Sequence, residues 1–137
     1  MSMKAQLAWL IAGLIVLDTV TPALAANLAE KVKVDLESPE RHPGMEPGMY
    51  VCAAGHLHIR GTAQNLADVA LGPIKVAGKA LDASGKVLGT ATASTEARRL
   101  DPGAKAGFDL EFVTVTGPRI QQVKKHEVKV VDAPVAR

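Results

Sequence analysis

Between Pro73 and Phe112 apolar side chains recur at every second position, and two turns, Asp82-Ala83-Ser84-Gly85 and Asp101-Pro102-Gly103, interrupt the runs. A period of two lines one face of a pleated strand, and Asp, Pro and Gly supply the dihedrals that reverse a chain. The pattern therefore predicts successive antiparallel strands. Pro73 opens a strand through Ile74, Val76, Gly78 and Ala80, and Val87 to Thr95 returns after the first turn to complete a hairpin. Thr95 to Arg99 is expected as a polar, exposed crossing. Phe108, Leu110 and Phe112 alternate along a third strand that reaches Val115. A further strand is expected after Gly117-Pro118, with His126, Val128 and Val130 on one face and Glu127 and Lys129 on the other. From Ala133 the tail is expected to fray.

The same grammar extends upstream. Lys31 to Glu37 places Val32, Val34 and Leu36 on one face and charges on the other, the signature of a half-buried strand, suited to a sheet edge. A helix beginning near Asn27 is the competing reading. Ser38 to Gly48 holds three prolines and two glycines, including the repeat Pro43-Gly-Met45-Glu-Pro47-Gly-Met49, and reads as a loop or linker. At His56 alternation resumes: Leu57 and Ile59 face the core, and His56, His58 and Arg60 face away. Asn65 to Asp68 turns the chain. Short strands separated by turn residues, with no long amphipathic helix, predict an all-β fold, an antiparallel β-sandwich, with a small barrel as the structural alternative. Only four aromatic residues occur, Trp9, Tyr50, Phe108 and Phe112, so the core is mostly aliphatic.

The first residues bear on compartment. Lys4 precedes an apolar run of 11 residues, Leu7 to Leu17, and the segment closes on Ala23-Leu24-Ala25, the small-residue pattern of a cleavable secretory signal peptide. A membrane-spanning helix needs about 20 apolar residues, which this run does not supply. The expected product is a periplasmic or secreted protein without a membrane span. Cleavage after Ala25 removes 25 of 137 residues and leaves 112, enough for one domain. Within it, residues 26–55 form an N-terminal strand and Pro/Gly-rich segment, 56–131 the sandwich domain and 132–137 a tail. With one cysteine, Cys52, no intrachain disulfide can form, so core packing must supply the stability. The net charge of +2 arises from interspersed basic and acidic residues and argues against a nucleic-acid partner.

The order Leu57-x-Ile59-x-Gly61-x-x-x-Asn65, then Val76, Leu81-Asp82-x-x-Gly85-Lys86-Val87, Leu100-x-Pro102-Gly103 and Phe108 resembles the FxLYD domain family over about residues 56–131. At the words that name the family, Gly78 stands in place of phenylalanine, Ala80 of leucine and Leu81 of tyrosine, and Asp82 is retained. The resemblance implies an immunoglobulin-like β-sandwich of an exported prokaryotic protein and carries over no particular activity.

No nucleophile elbow, phosphate-cradling loop or His-Glu-x-x-His helix occurs, and Gly103-Ala-Lys-Ala-Gly107 lacks the spacing of a phosphate loop. Cys52 with His56 or His58 offers the ingredients of a thiolate-imidazole pair, though nearness in sequence is not that geometry. A noncatalytic protein is expected. One window stands out: His42 to His58 spans 17 residues and holds three of the four histidines, Met45, Met49 and Cys52. Thioether, thiolate and imidazole together suit copper ahead of zinc, and His56 and His58, two apart on a strand, project from one face. Each also has a plain structural reading: surface polarity for the histidines, packing for the methionines, a small buried hydrophobe for the cysteine. Two functions are thus expected to compete: an interaction or structural module meeting another cell-envelope protein, and a metal-binding protein with candidate ligands His56, His58, Met49 and Cys52, with His42 and Met45 beside them.

Overall fold

A computed structural model of the chain describes residues 27–37 and 46–137. The expected signal peptide, His42 and Met45 lie outside the described residues. Among the described residues seven strands form two antiparallel sheets: β1 (Val32–Leu36), β2 (Met49–Val51), β3 (His56–Asn65), β4 (Lys75–Leu81), β5 (Val87–Ser94), β6 (Lys105–Thr116) and β7 (Lys125–Asp132). In the first sheet β3 is central, with β6 on one side and both β1 and β2 on the other; the second runs β5-β4-β7. The all-β sandwich follows the alternation read from the sequence. Pairing of β3 with β6 and of β4 with β7 matches the central strand pairs of an immunoglobulin-type sandwich.

β1 and β2 together make one interrupted edge. Val32 to Leu36 pairs with Asn65 to Gly61, and Met49 to Val51 pairs with Ile59 to Leu57, so the two strands follow each other along β3. At the join Glu37 N–H donates to the Arg60 carbonyl (3.2 Å) and Arg60 N–H donates to the Gly48 carbonyl (2.8 Å). Gly48 takes φ +82° there, and a Cβ would lie 2.8 Å from the Arg60 carbonyl oxygen, so only glycine suits this crossing. The strand expected at Lys31 to Glu37 therefore joins the sheet, preceded by a single 3-10 turn, Ala29–Lys31.

Between the sheets lie Leu57, Ile59, Leu71, Ile74, Val76, Phe108, Leu110, Phe112 and Val115, all essentially inaccessible. Burial of each such side chain contributes about 1.5–3 kcal/mol relative to exposure. Gly78 faces this layer: a Cβ there would lie 2.7 Å from Leu110 Cδ1 and 3.2 Å from Phe112 Cζ. Side chains of β6 thus fill the volume that a larger residue at position 78 would take. Asn65, fully buried, ties three segments together: its Nδ2 donates to the Val69 and Leu100 carbonyls, both at 2.9 Å, and its Oδ1 accepts from Ala67 N–H at 2.8 Å.

Two local expectations are corrected. Thr95 is buried, because its hydroxyl accepts from Ile74 N–H (3.1 Å) and donates to the Ala97 carbonyl (3.2 Å), which closes the crossing onto the sandwich. The strand expected after Gly117-Pro118 is β7, and between them proline at the first helical position starts a short helix, α1 (Pro118–Gln122). The tail does not fray at Ala133. Ala133 is buried, its carbonyl accepts from Leu28 N–H (2.9 Å), and the Pro134 carbonyl accepts from Gly72 N–H (2.8 Å). Among the described residues, no helix is long and apolar enough to cross a membrane.

Candidate metal centre

The β2–β3 hairpin builds the outer face of the first sheet. Cys52 starts its turn: Cys52 N–H donates to the His56 carbonyl (3.1 Å), Gly55 N–H donates to the Cys52 carbonyl (2.9 Å), and Gly55 has φ +85°. Alternation then sends Leu57 and Ile59 into the core and His56, His58 and Arg60 outward. Across the ladder, His58 stands opposite Glu111 and Arg60 opposite Asp109, because β6 alternates around the buried Phe108, Leu110 and Phe112. Tyr50, opposite His58 in β2, completes the row.

These side chains hold one another. His58 Nδ1 is 2.7 Å from Asp109 Oδ1 and 3.1 Å from the Tyr50 hydroxyl, which donates to Asp109 Oδ2 at 2.5 Å. The Tyr50 and His58 rings stack with centroids 4.7 Å apart, and the Arg60 guanidinium lies 4.4 Å over the Tyr50 ring. Arg60 also donates to the Tyr50 hydroxyl (2.8 Å) and to Asp109 Oδ2 (3.3 Å). The result is an imidazole fixed in orientation, its side chain only 13% exposed. Its other nitrogen, Nε2, is closed off from solvent and has no hydrogen bond of standard geometry. That nitrogen lies 3.8 Å from Glu111 Oε2. Ligand atoms of Cys52, His58 and Glu111 all lie within 4.8 Å of one another.

Titration follows this geometry. The His56 backbone N–H, helped by Ala54 N–H and His58 and opposed by burial, holds the Cys52 thiol below its ordinary pKa. Burial works to lower the pKa of His58, but its contacts with Asp109 and Cys52 prevail and raise it. Burial likewise works to raise the pKa of Asp109, yet Tyr50, His58 and Arg60 together lower it. Tyr50 is pushed up to about 12, by burial first and then by Asp109. Cys52 thus ionises more readily than a free thiol, beside an imidazole whose far nitrogen is anchored on a carboxylate. Such an order of groups either activates a thiol or presents sulfur and nitrogen to a cation.

Of the residues singled out in the sequence, Cys52 and His58 come together. His56 is adjacent, with Nδ1 2.7 Å from Glu111 Oε2, but is not one of the three converging groups. Met49 does not belong with them: it is 2% exposed and pairs with inward-facing Ile59, so its thioether lies in the core on the opposite face of the sheet. Period-two alternation forces this, because Tyr50 and Met49 cannot face the same way. Sequence reasoning missed Glu111 and Asp109. Their signal was the outward half of the Phe108–Phe112 alternation, two acids interleaved with the apolar residues. No family model, characterised protein or solved structure matches this chain.

Proposed function

We propose that this is a noncatalytic, exported β-sandwich protein that binds a transition-metal ion on the outer face of its first sheet, through Cys52, His58 and Glu111. The observation that carries the reading is the buried Nε2 of His58, which lies with Cys52 and Glu111 on one side while Asp109 holds the opposite ring nitrogen. Metal-binding histidines are characteristically oriented by a carboxylate on the second nitrogen, which fixes the tautomer and raises ligand basicity. Export rests on the N-terminal sequence pattern.

The donor set adjusts the expected metal. With Met49 in the core and Glu111 beside His58, the three groups offer one thiolate, one imidazole and one carboxylate. Zinc accepts all three ligand types with a fourth position left for water or another donor, whereas cuprous copper favours more sulfur. Zinc therefore precedes copper. Calorimetric titration of the purified protein with Zn(II) and, under reducing conditions, with Cu(I) tests this. Expected is one Zn(II) per chain, lost in Cys52→Ser and His58→Ala, weakened in Glu111→Gln and kept in Met49→Leu. Binding that survives both Cys52→Ser and His58→Ala removes the site.

A further inference from the structure

The second sheet ends at β7, and among the described residues no strand pairs with the outer edge of β7. That edge is eight residues long. Unpaired backbone N–H and C=O groups along such an edge template another strand. The inward residues His126, Val128 and Val130 remain half-exposed, while Ala80, Gly78 and Val76 opposite them in β4 are buried. The sheet stops before its own face is covered. On the outward face Glu127 and Lys129 are exposed, and Glu127 stands opposite Lys79 of β4.

We propose that β7 pairs antiparallel with β7 of a second copy of this chain about a two-fold axis at Val128, joining the two three-stranded sheets into one. In this register Glu127 of each copy faces Lys129 of the other, Val128 faces Val128, and His126 faces Val130. Both cross-strand charge pairs are favourable, and the row Lys79, Glu127, second-copy Lys129 alternates in sign. The neighbouring registers do not work. A shift of two residues one way sets Glu127 against Glu127 and Lys125 against Lys129; the other way sets Lys129 against Lys129. A shift of one sets inward residues against outward ones. Among the registers within two residues of it, the one centred on Val128 is the self-complementary one, which is what an isologous two-fold interface requires.

Sedimentation equilibrium of the purified protein, with a thiol reductant and a chelator so that neither Cys52 nor a metal can bridge copies, tests the pairing. A dimer is expected. Glu127→Lys and Lys129→Glu each place like charges opposite one another twice, and each should raise the dissociation constant at least about tenfold. Mixing the two variants, or combining both substitutions in one chain, restores every charge pair and should restore the dimer. A wild type that stays monomeric overturns the proposal. So do single variants that associate like the wild type, or folded variants that fail to recover on mixing.

Discussion

The outer faces of the two sheets arise from the same alternation yet differ in kind. On the first sheet the outward residues Tyr50, His58 and Asp109 are half-buried in a stacked, hydrogen-bonded group that the exposed Arg60 covers. On the second, Lys79, Thr90, Thr92, Glu127 and Lys129 stand exposed. Period two decides which way a side chain points. How far outward polar groups withdraw from water is decided by their cross-strand neighbours, and chemistry requires that withdrawal.

The two faces should diverge most when the carboxylate that orients His58 is removed. Asp109→Asn should weaken Zn(II) binding about 10–100-fold, the usual cost of losing a metal-oriented histidine's partner, while Thr92→Ala on the other face leaves it unchanged. Competition with a chromophoric chelator reads both. Stability should divide the faces next. Asp109→Ala strands Tyr50, His58 and Arg60 and should cost about 1–3 kcal/mol in denaturant unfolding, against less than about 0.5 kcal/mol for Thr92→Ala.

A smaller effect is expected in pH dependence. His58 is raised, so its contribution is complete below the ordinary imidazole value and fades as pH climbs through the raised one; Asp109 is lowered, so its contribution fades only in acid below the ordinary carboxylate value. In metal-free protein, the stability gap between wild type and His58→Gln should therefore be widest between about pH 4 and 6.5 and narrow above. Thr92→Ala should show no such window. Smallest of all, Met49→Leu conserves core volume and should cost less than about 1.5 kcal/mol with metal binding retained.

The strands were legible because burial imposes a rhythm on the sequence: Leu57 and Ile59, Val76 and Ala80, Phe108 to Phe112 all point where alternation puts them. Cys52 and His58 were legible as chemical types crowded in one window. Glu111 and Asp109 were not, because their role depends on the β3–β6 register, and pairing between residues some fifty positions apart leaves no local mark. Met49 misled for the converse reason: its donor atom suits a metal, but its position in β2 commits it to the core. The burial of Asn65 and Thr95 was equally hidden, since polar residues near turns read as surface until the segments that they tie together are seen.

The central claim is that a thiolate, an imidazole and a carboxylate on one sheet face hold one ion. Cobalt(II), a spectroscopic substitute for zinc, tests it most directly, because a thiolate ligand produces a sulfur-to-cobalt charge-transfer band. The account predicts that this band grows to saturation at one Co(II) per chain, disappears in Cys52→Ser and in His58→Ala, and persists in Met49→Leu. Absence of the band, or its survival in Cys52→Ser, would contradict it.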